Sequence, residues 1–107
     1  MTPLRFLPEA TAEAREAAAW YEERRVGLGD EFITALMDRA RKAEAVPGAG
    51  RLEQDAPERF ELRWYNLKRF PYALLVGSVG EERVVVAVAH GRRRPGYWRH
   101  RLVKLES

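Results

Sequence analysis

The sequence predicts an α+β domain in which an N-terminal helical hairpin packs on a small, mostly antiparallel, twisted β-sheet. Three observations carry this expectation. Apolar residues recur at helical spacing from about residue 8 to residue 45. From residue 60 onward the pattern changes to the two-residue period of strands. The chain has 107 residues, 46% of them hydrophobic, so residues 1–107 are expected to form a single domain. A chain of that size buries roughly two thirds of the surface its unfolded state exposes, enough for one core.

Leu4-Arg5-Phe6-Leu7 reads as a short entry strand, and Pro8-Glu9 fits the first turn of a helix. Proline there lacks only a dispensable N–H, and the acid meets the positive end of the helix dipole. Ala10, Ala14, Ala17 and Tyr21 then fall on one face, and Glu9, Glu13, Glu16 and Glu23 on another, which predicts an amphipathic helix over about residues 8–25. Trp20 falls toward the glutamate face, as a half-buried residue or as part of a partner surface. Gly27-Leu28-Gly29-Asp30 reads as a helix stop, a tight connection and a new N-cap. Phe32, Ile33, Leu36, Ala40 and Ala43 form the core stripe of a second helix over about residues 31–45, and so short a link makes the two helices an antiparallel hairpin. The Gly27-x-Gly29 pair lacks the preceding strand and the lysine or third glycine of a phosphate loop.

Residues 46–50 end the helical half, and residues 51–58 are polar enough for a loop. Phe60 to Trp64 alternates apolar and polar residues, as a strand with one wet face does. Tyr72 to Val79, a turn around Gly80-Glu81-Glu82, and Arg83 to Ala89 read as a β-hairpin, with Pro71 tolerated at its opening. Its second strand is apolar on both faces, which places it centrally in the sheet under the helix pair.

The absence of cysteine excludes disulfide scaffolds, zinc ribbons, iron–sulfur sites and thiol nucleophiles. The two histidines lie ten residues apart with no carboxylate at helical spacing, so no metal site and no cofactor is expected. The longest apolar run, Val84 to Ala89, is far short of the roughly 20 residues of a membrane span, and no signal-like segment opens the chain. The expectation is a soluble, cytoplasmic protein without a membrane partner. The net charge of +3 divides unevenly. Residues 1–58 carry 8 basic against 12 acidic side chains, a net of −4, and residues 59–107 carry 11 against 4, a net of +7. Basic charge gathered in one half suits a surface that meets phosphates or an acidic protein.

The stretch from Ala87 to Arg101 concentrates that charge: His90 at a strand end, Arg92-Arg93-Arg94, a Pro-Gly turn, Tyr97-Trp98, and two further arginines. Guanidinium forks match phosphate oxygens and aromatic faces stack bases, so the mixture suits single-stranded RNA or DNA. A ribonuclease acting through the 2′-hydroxyl needs a base, an acid and cations; His90, Tyr97 and Arg92 are the candidate catalytic set. Candidate binding residues are Arg63, Arg69, Arg92, Arg93, Arg94, Trp98 and Arg101, with Lys68 beside them. The alternative is a solvated basic end whose Tyr97 and Trp98 fold back onto the sheet, with His90 a structural residue.

These residues together resemble the RelE/ParE superfamily of bacterial type II toxin–antitoxin toxins, on the side of the ParE-like, plasmid-stabilisation branch. The matching pieces are Pro8-Glu9-Ala10, Trp20-Tyr21-Glu22, Gly27-Leu28-Gly29-Asp30 with Phe32, Pro47, Arg69-Phe70-Pro71-Tyr72, and Ala87-Val88-Ala89-His90 followed by Arg93, Pro95, Tyr97-Trp98 and Arg101. The resemblance implies the same fold and a small toxin that forms a hetero-oligomer with a cognate antitoxin, whose C-terminal segment wraps over it. It further implies a toxin that poisons DNA gyrase and is not an enzyme. The alternative it carries is a RelE-like endoribonuclease, an mRNA interferase acting on ribosome-bound mRNA, with positions at or near Arg69, His90, Arg92, Arg93 and Tyr97.

Overall fold

The structure is a computed structural model, described for residues 3–105. Its elements run β1 (Arg5–Phe6), α1 (Pro8–Arg24), α2 (Leu28–Ala45), a 3₁₀ turn (Pro47–Ala49), β2 (Arg51–Leu52), β3 (Glu61–Asn66), β4 (Tyr72–Val79), β5 (Glu82–His90) and a 3₁₀ segment (Arg99–Leu105). The five strands form one sheet in the order β1-β5-β4-β3-β2, antiparallel except for the parallel pair β1 and β5. The α+β class, the helical hairpin and the mostly antiparallel sheet are those expected from the sequence.

Both helices present the stripes read from their spacing: Ala10, Ala14 and Ala17 on α1, and Phe32, Leu36, Ala40 and Ala43 on α2. An alanine stripe lets the helices come close. A Cβ added at Gly29 would lie 2.7 Å from the Ala18 carbonyl oxygen. The start of α2 differs from the expectation. The helix begins at Leu28, with Gly27 at the N-cap in the left-handed region (φ 91°), and Asp30 lies in the first turn instead of capping it. Its free amides are met from α1, because the Glu22 carboxylate accepts from Gly27 N at 2.9 Å and Gly29 N at 3.0 Å. A carboxylate cap supplied from the preceding helix makes a local one dispensable.

Strand β5 is covered on both faces, by different layers. On the helix side, Val85 and Val88 join Leu74, Val76, Phe32, Leu36 and the α1 alanines in one core. On the other side, Val84, Val86 and Ala87 join Leu62, Leu75, Trp98, Leu102 and Leu105 in a second. A bulge makes this division possible. Leu75 pairs with Ala87 and Val76 with Val85, so Val86 is the extra residue and shares its face with Ala87. The interior position of β5 agrees with its apolar pattern, but the helix pair accounts for only one of its two covers. The other is the C-terminal stretch, read from sequence as a basic tail and folded here as a 3₁₀ segment that buries Leu102 and Leu105.

Residues 51–58 are not wholly a loop. Arg51 and Leu52 pair with Trp64 and Arg63 as an edge strand. Gly50 allows the approach, since a Cβ there would sit 2.6 Å from the Tyr65 ring. The exposed edges are closed by side chains: Arg39 Nε donates to the Asn66 carbonyl at 2.9 Å, and Leu4 N donates to the Glu44 carboxylate at 2.9 Å.

Candidate functional site

Strand β1 covers the outer edge of β5 only as far as Val85, whose carbonyl accepts from Leu7 N at 3.0 Å. Beyond it the edge would stand open, leaving buried peptide groups without partners. Three side chains close it. Glu13 Oε1 accepts from Val88 N at 3.0 Å and from Arg101 Nη1 at 2.8 Å, and Oε2 accepts from Arg101 Nη2 at 3.0 Å and from the Tyr97 hydroxyl at 2.7 Å. Arg101 Nη1 also donates to the Val86 carbonyl at 3.1 Å. The Arg101 and Glu13 side chains are 8% and 16% exposed, so this two-pronged ion pair sits largely out of water.

The second anchor lies one turn away, where Lys104 Nζ meets Glu9 Oε2 at 2.5 Å. The Lys104 hydrogen bond is the main cause that holds the Glu9 carboxyl below the usual range. Two acids of α1 are thus paired with two bases of the C-terminal segment, one pair buried and the other at the surface.

Tyr97 is held the same way. Burial, and then its hydrogen bond to Glu13, push the phenol well above the ordinary tyrosine value of 10. The raised value means that the protonated hydroxyl belongs to the folded state. Its contribution is complete below pH 10 and is lost as pH rises above that, so stability is expected to fall on the alkaline side. In a urea series across pH 9 to 12, Tyr97→Phe should flatten that decline; an unchanged slope would show that the phenol titrates freely.

The sequence-derived site residues divide into two groups. Arg92, Arg93 and Arg94 are exposed together in the loop after β5, and no acid among the described residues pairs with them. The Arg93 guanidinium lies 3.9 Å above the Tyr97 ring. His90 stands at the base of the loop, its ring edge-on to Tyr72 at 5.1 Å, and its Nδ1 accepts from Arg92 N at 3.0 Å. That hydrogen bond makes Nδ1 an acceptor and assigns the ring proton to Nε2. Gly91 N donates to the Pro71 carbonyl at 2.8 Å, which fastens the loop to the opening of β4.

The other candidates are engaged elsewhere. Arg63 donates to the Gly50 carbonyl at 2.7 Å and to Glu61 at 2.8 Å, tying down β2. Arg69 donates to Glu31 at 2.8 Å, and Arg25 meets the same carboxylate at 3.1 Å; these two hold Glu31 below the usual carboxylate range. Trp98 is 2% exposed, in edge contact with Trp64. Arg101 is 7% exposed.

A groove of about 660 Å³ runs between α1 and the strand ends, lined by Glu16, Trp20, Tyr21, Tyr72 and His90 with Arg92 on its rim. Tyr21 stacks on Phe32 at 5.3 Å at its floor, and Trp20 is 52% exposed with the Arg24 guanidinium 3.8 Å over its ring. Among the described residues no group of three or more His, Asp or Glu side chains can hold a metal ion, and no helix is long and apolar enough to cross a membrane. Sequence reasoning missed Glu13, assigned to the wet face of α1. A signal was present: Glu9 and Glu13 are one α-turn apart, and Arg101 and Lys104 are one 3₁₀ turn apart, so two acids and two bases repeat on facing elements.

A helical hairpin on a five-stranded, mostly antiparallel sheet, backed by a C-terminal segment, defines an α+β domain. A solved structure described as "Chromosomal ParDE TA system from P. aeruginosa" matches it with a TM-score of 0.59 at 15% identity, over 84% of this chain and 96% of that one. The fold is therefore ParE-like. No family model and no curated protein matches the chain.

Proposed function

We propose that this protein is the toxin of a type II toxin–antitoxin module, of the ParE kind, which arrests growth by poisoning DNA gyrase and is neutralised by a cognate antitoxin. The ParE-like fold supports the class. The observation that favours a binding toxin over an mRNA-cutting enzyme is the commitment of Tyr97. General acid–base catalysis needs a proton that moves near the working pH. The Tyr97 hydroxyl keeps its proton and donates it in a hydrogen bond to Glu13, with its pKa raised and its ring packed under two guanidiniums. Tyr97, the tyrosine of the candidate catalytic set, is thereby withdrawn from acid–base work with His90. What remains for a target is the unpaired Arg92-Arg93-Arg94 loop, and what remains for the antitoxin is the groove between α1 and the strand ends. An antitoxin segment with apolar residues for Trp20, Tyr21 and Tyr72 and an acid for Arg92 fits that groove.

Purified protein is expected to inhibit supercoiling by gyrase and to stabilise cleaved DNA complexes. The variant with Arg92, Arg93 and Arg94 all changed to alanine should need at least tenfold more protein for the same inhibition while remaining folded, because each surface change of this kind costs within about 0.5 kcal/mol. No inhibition by the unaltered protein at stoichiometric excess would overturn the gyrase reading. Cut mRNA in a translating extract, abolished by His90→Ala, would replace it with the endoribonuclease.

A further inference from the structure

On the face of the sheet opposite the helices lies a second, smaller trough of about 260 Å³. Its floor is the cross-strand pair Ala73 and Ala89, whose methyl groups leave a shallow shelf between β4 and β5. Trp64 forms one wall, with its Nε1 donating to Glu53 Oε1 at 2.8 Å, which fixes the plane of the indole. Arg93 and Arg94 rim the opposite side, and Arg51, paired with Trp64 across β2 and β3, rims the near end. Glu53 is the acid among the lining residues, and both its oxygens are used: Oε1 by Trp64 and Oε2 by Asp55 N at 3.0 Å. The trough therefore offers an apolar shelf, one fixed aromatic wall and guanidiniums on two sides.

We propose that this trough binds single-stranded DNA, one base lodged on the Ala73–Ala89 shelf against Trp64 and the flanking phosphates on Arg51, Arg93 and Arg94. Fixed aromatic faces take unpaired bases without regard to sequence, and guanidinium forks take phosphates. The space is below the roughly 300–1,000 Å³ of sites for whole small molecules, which suits one unit of a polymer continuing past both ends. A duplex keeps its bases stacked inside and leaves nothing for Trp64. The proposal rests on the gyrase reading, which makes DNA the nucleic acid at hand. It would make the toxin touch DNA as well as the enzyme that holds it.

The test is fluorescence anisotropy of the full-length protein with a labelled 12-nucleotide single-stranded DNA, a duplex of the same sequence and the matching RNA, at several salt concentrations. The single-stranded DNA is expected to bind at least tenfold tighter than the duplex. Arg94→Ala should reduce the slope of log affinity against log salt by about 0.7, the value for one phosphate contact on a single strand. Trp64→Ala should weaken binding by roughly tenfold or more. Because Trp64 also packs on Trp98, Trp64→Phe is the control, expected to keep the fold and most of the binding. RNA binding on a par with DNA supports the site. Duplex binding equal to single-stranded, binding of RNA alone, or an affinity unmoved by Arg94→Ala would overturn it. Gyrase inhibition by a protein that binds no single-stranded DNA would sink this proposal and leave the gyrase reading intact. DNA binding without gyrase inhibition would do the reverse.

Discussion

Glu13→Ala is expected to lower the unfolding free energy by about 3–5 kcal/mol, the range for removing one partner of a buried ion pair. The loss has several parts. Arg101 would keep its charge at 7% exposure, already with Nε unpartnered, while Val88 N and the Tyr97 hydroxyl lose their acceptor. For a domain of this size each kcal/mol lowers the melting temperature by roughly 4–8 °C, so thermal unfolding should shift down by roughly 12–40 °C. Arg101→Ala should cost a similar amount, and the double variant clearly less than the two together, because the second change no longer strands a charge. A Glu13→Ala loss below about 1 kcal/mol would show that water reaches the pair, as at surface bridges.

Trp98→Ala should cost about 3–5 kcal/mol by emptying the centre of the second core. The indole is 2% exposed, lies 6.5 Å centroid to centroid from Trp64, and sits among Leu62, Leu75, Leu102 and Leu105. No large neighbour from the helix layer can move in, because the sheet stands between. Urea unfolding followed by far-ultraviolet circular dichroism measures the loss directly. Trp20, 52% exposed on α1, provides the comparison: Trp20→Ala should leave stability within about 0.5 kcal/mol. If the two tryptophans behave alike, the C-terminal segment is not a layer of the core.

The helices were legible in the sequence because their evidence is local. Four alanine or aromatic positions on α1 and five apolar positions on α2 repeat at one period, and the register of a helix follows from that alone. The hairpin β4–β5 was legible for the same reason. The start of α2 was misplaced because its cap comes from Glu22, seven residues before Gly29, where a search for the nearest Asp or Asn does not look. Strand β2 was missed because two residues carry no period, and only pairing with Trp64 and Arg63 defines it.

The candidate site divides along the same line. Arg92, Arg93 and Arg94 follow an apolar strand and precede a Pro-Gly turn, and their exposure could be read from that order. Whether Arg101 and Tyr97 face outward or inward could not, because their partner is 84 to 88 residues away on α1. The net of −4 in one half and +7 in the other was a property of the sequence alone.

The sequence by itself determined the fold class, the helical hairpin, the doubly apolar interior strand and the gathering of basic charge near the C-terminus. Periodicity and composition are sums over neighbouring residues and need no third dimension. Which charges are buried and which stay exposed followed from the packing alone, since burial is a property of what lies opposite. The packing turned Glu13, Tyr97 and Arg101 into the closure of a sheet edge and left Arg92, Arg93 and Arg94 exposed with no acid partner among the described residues.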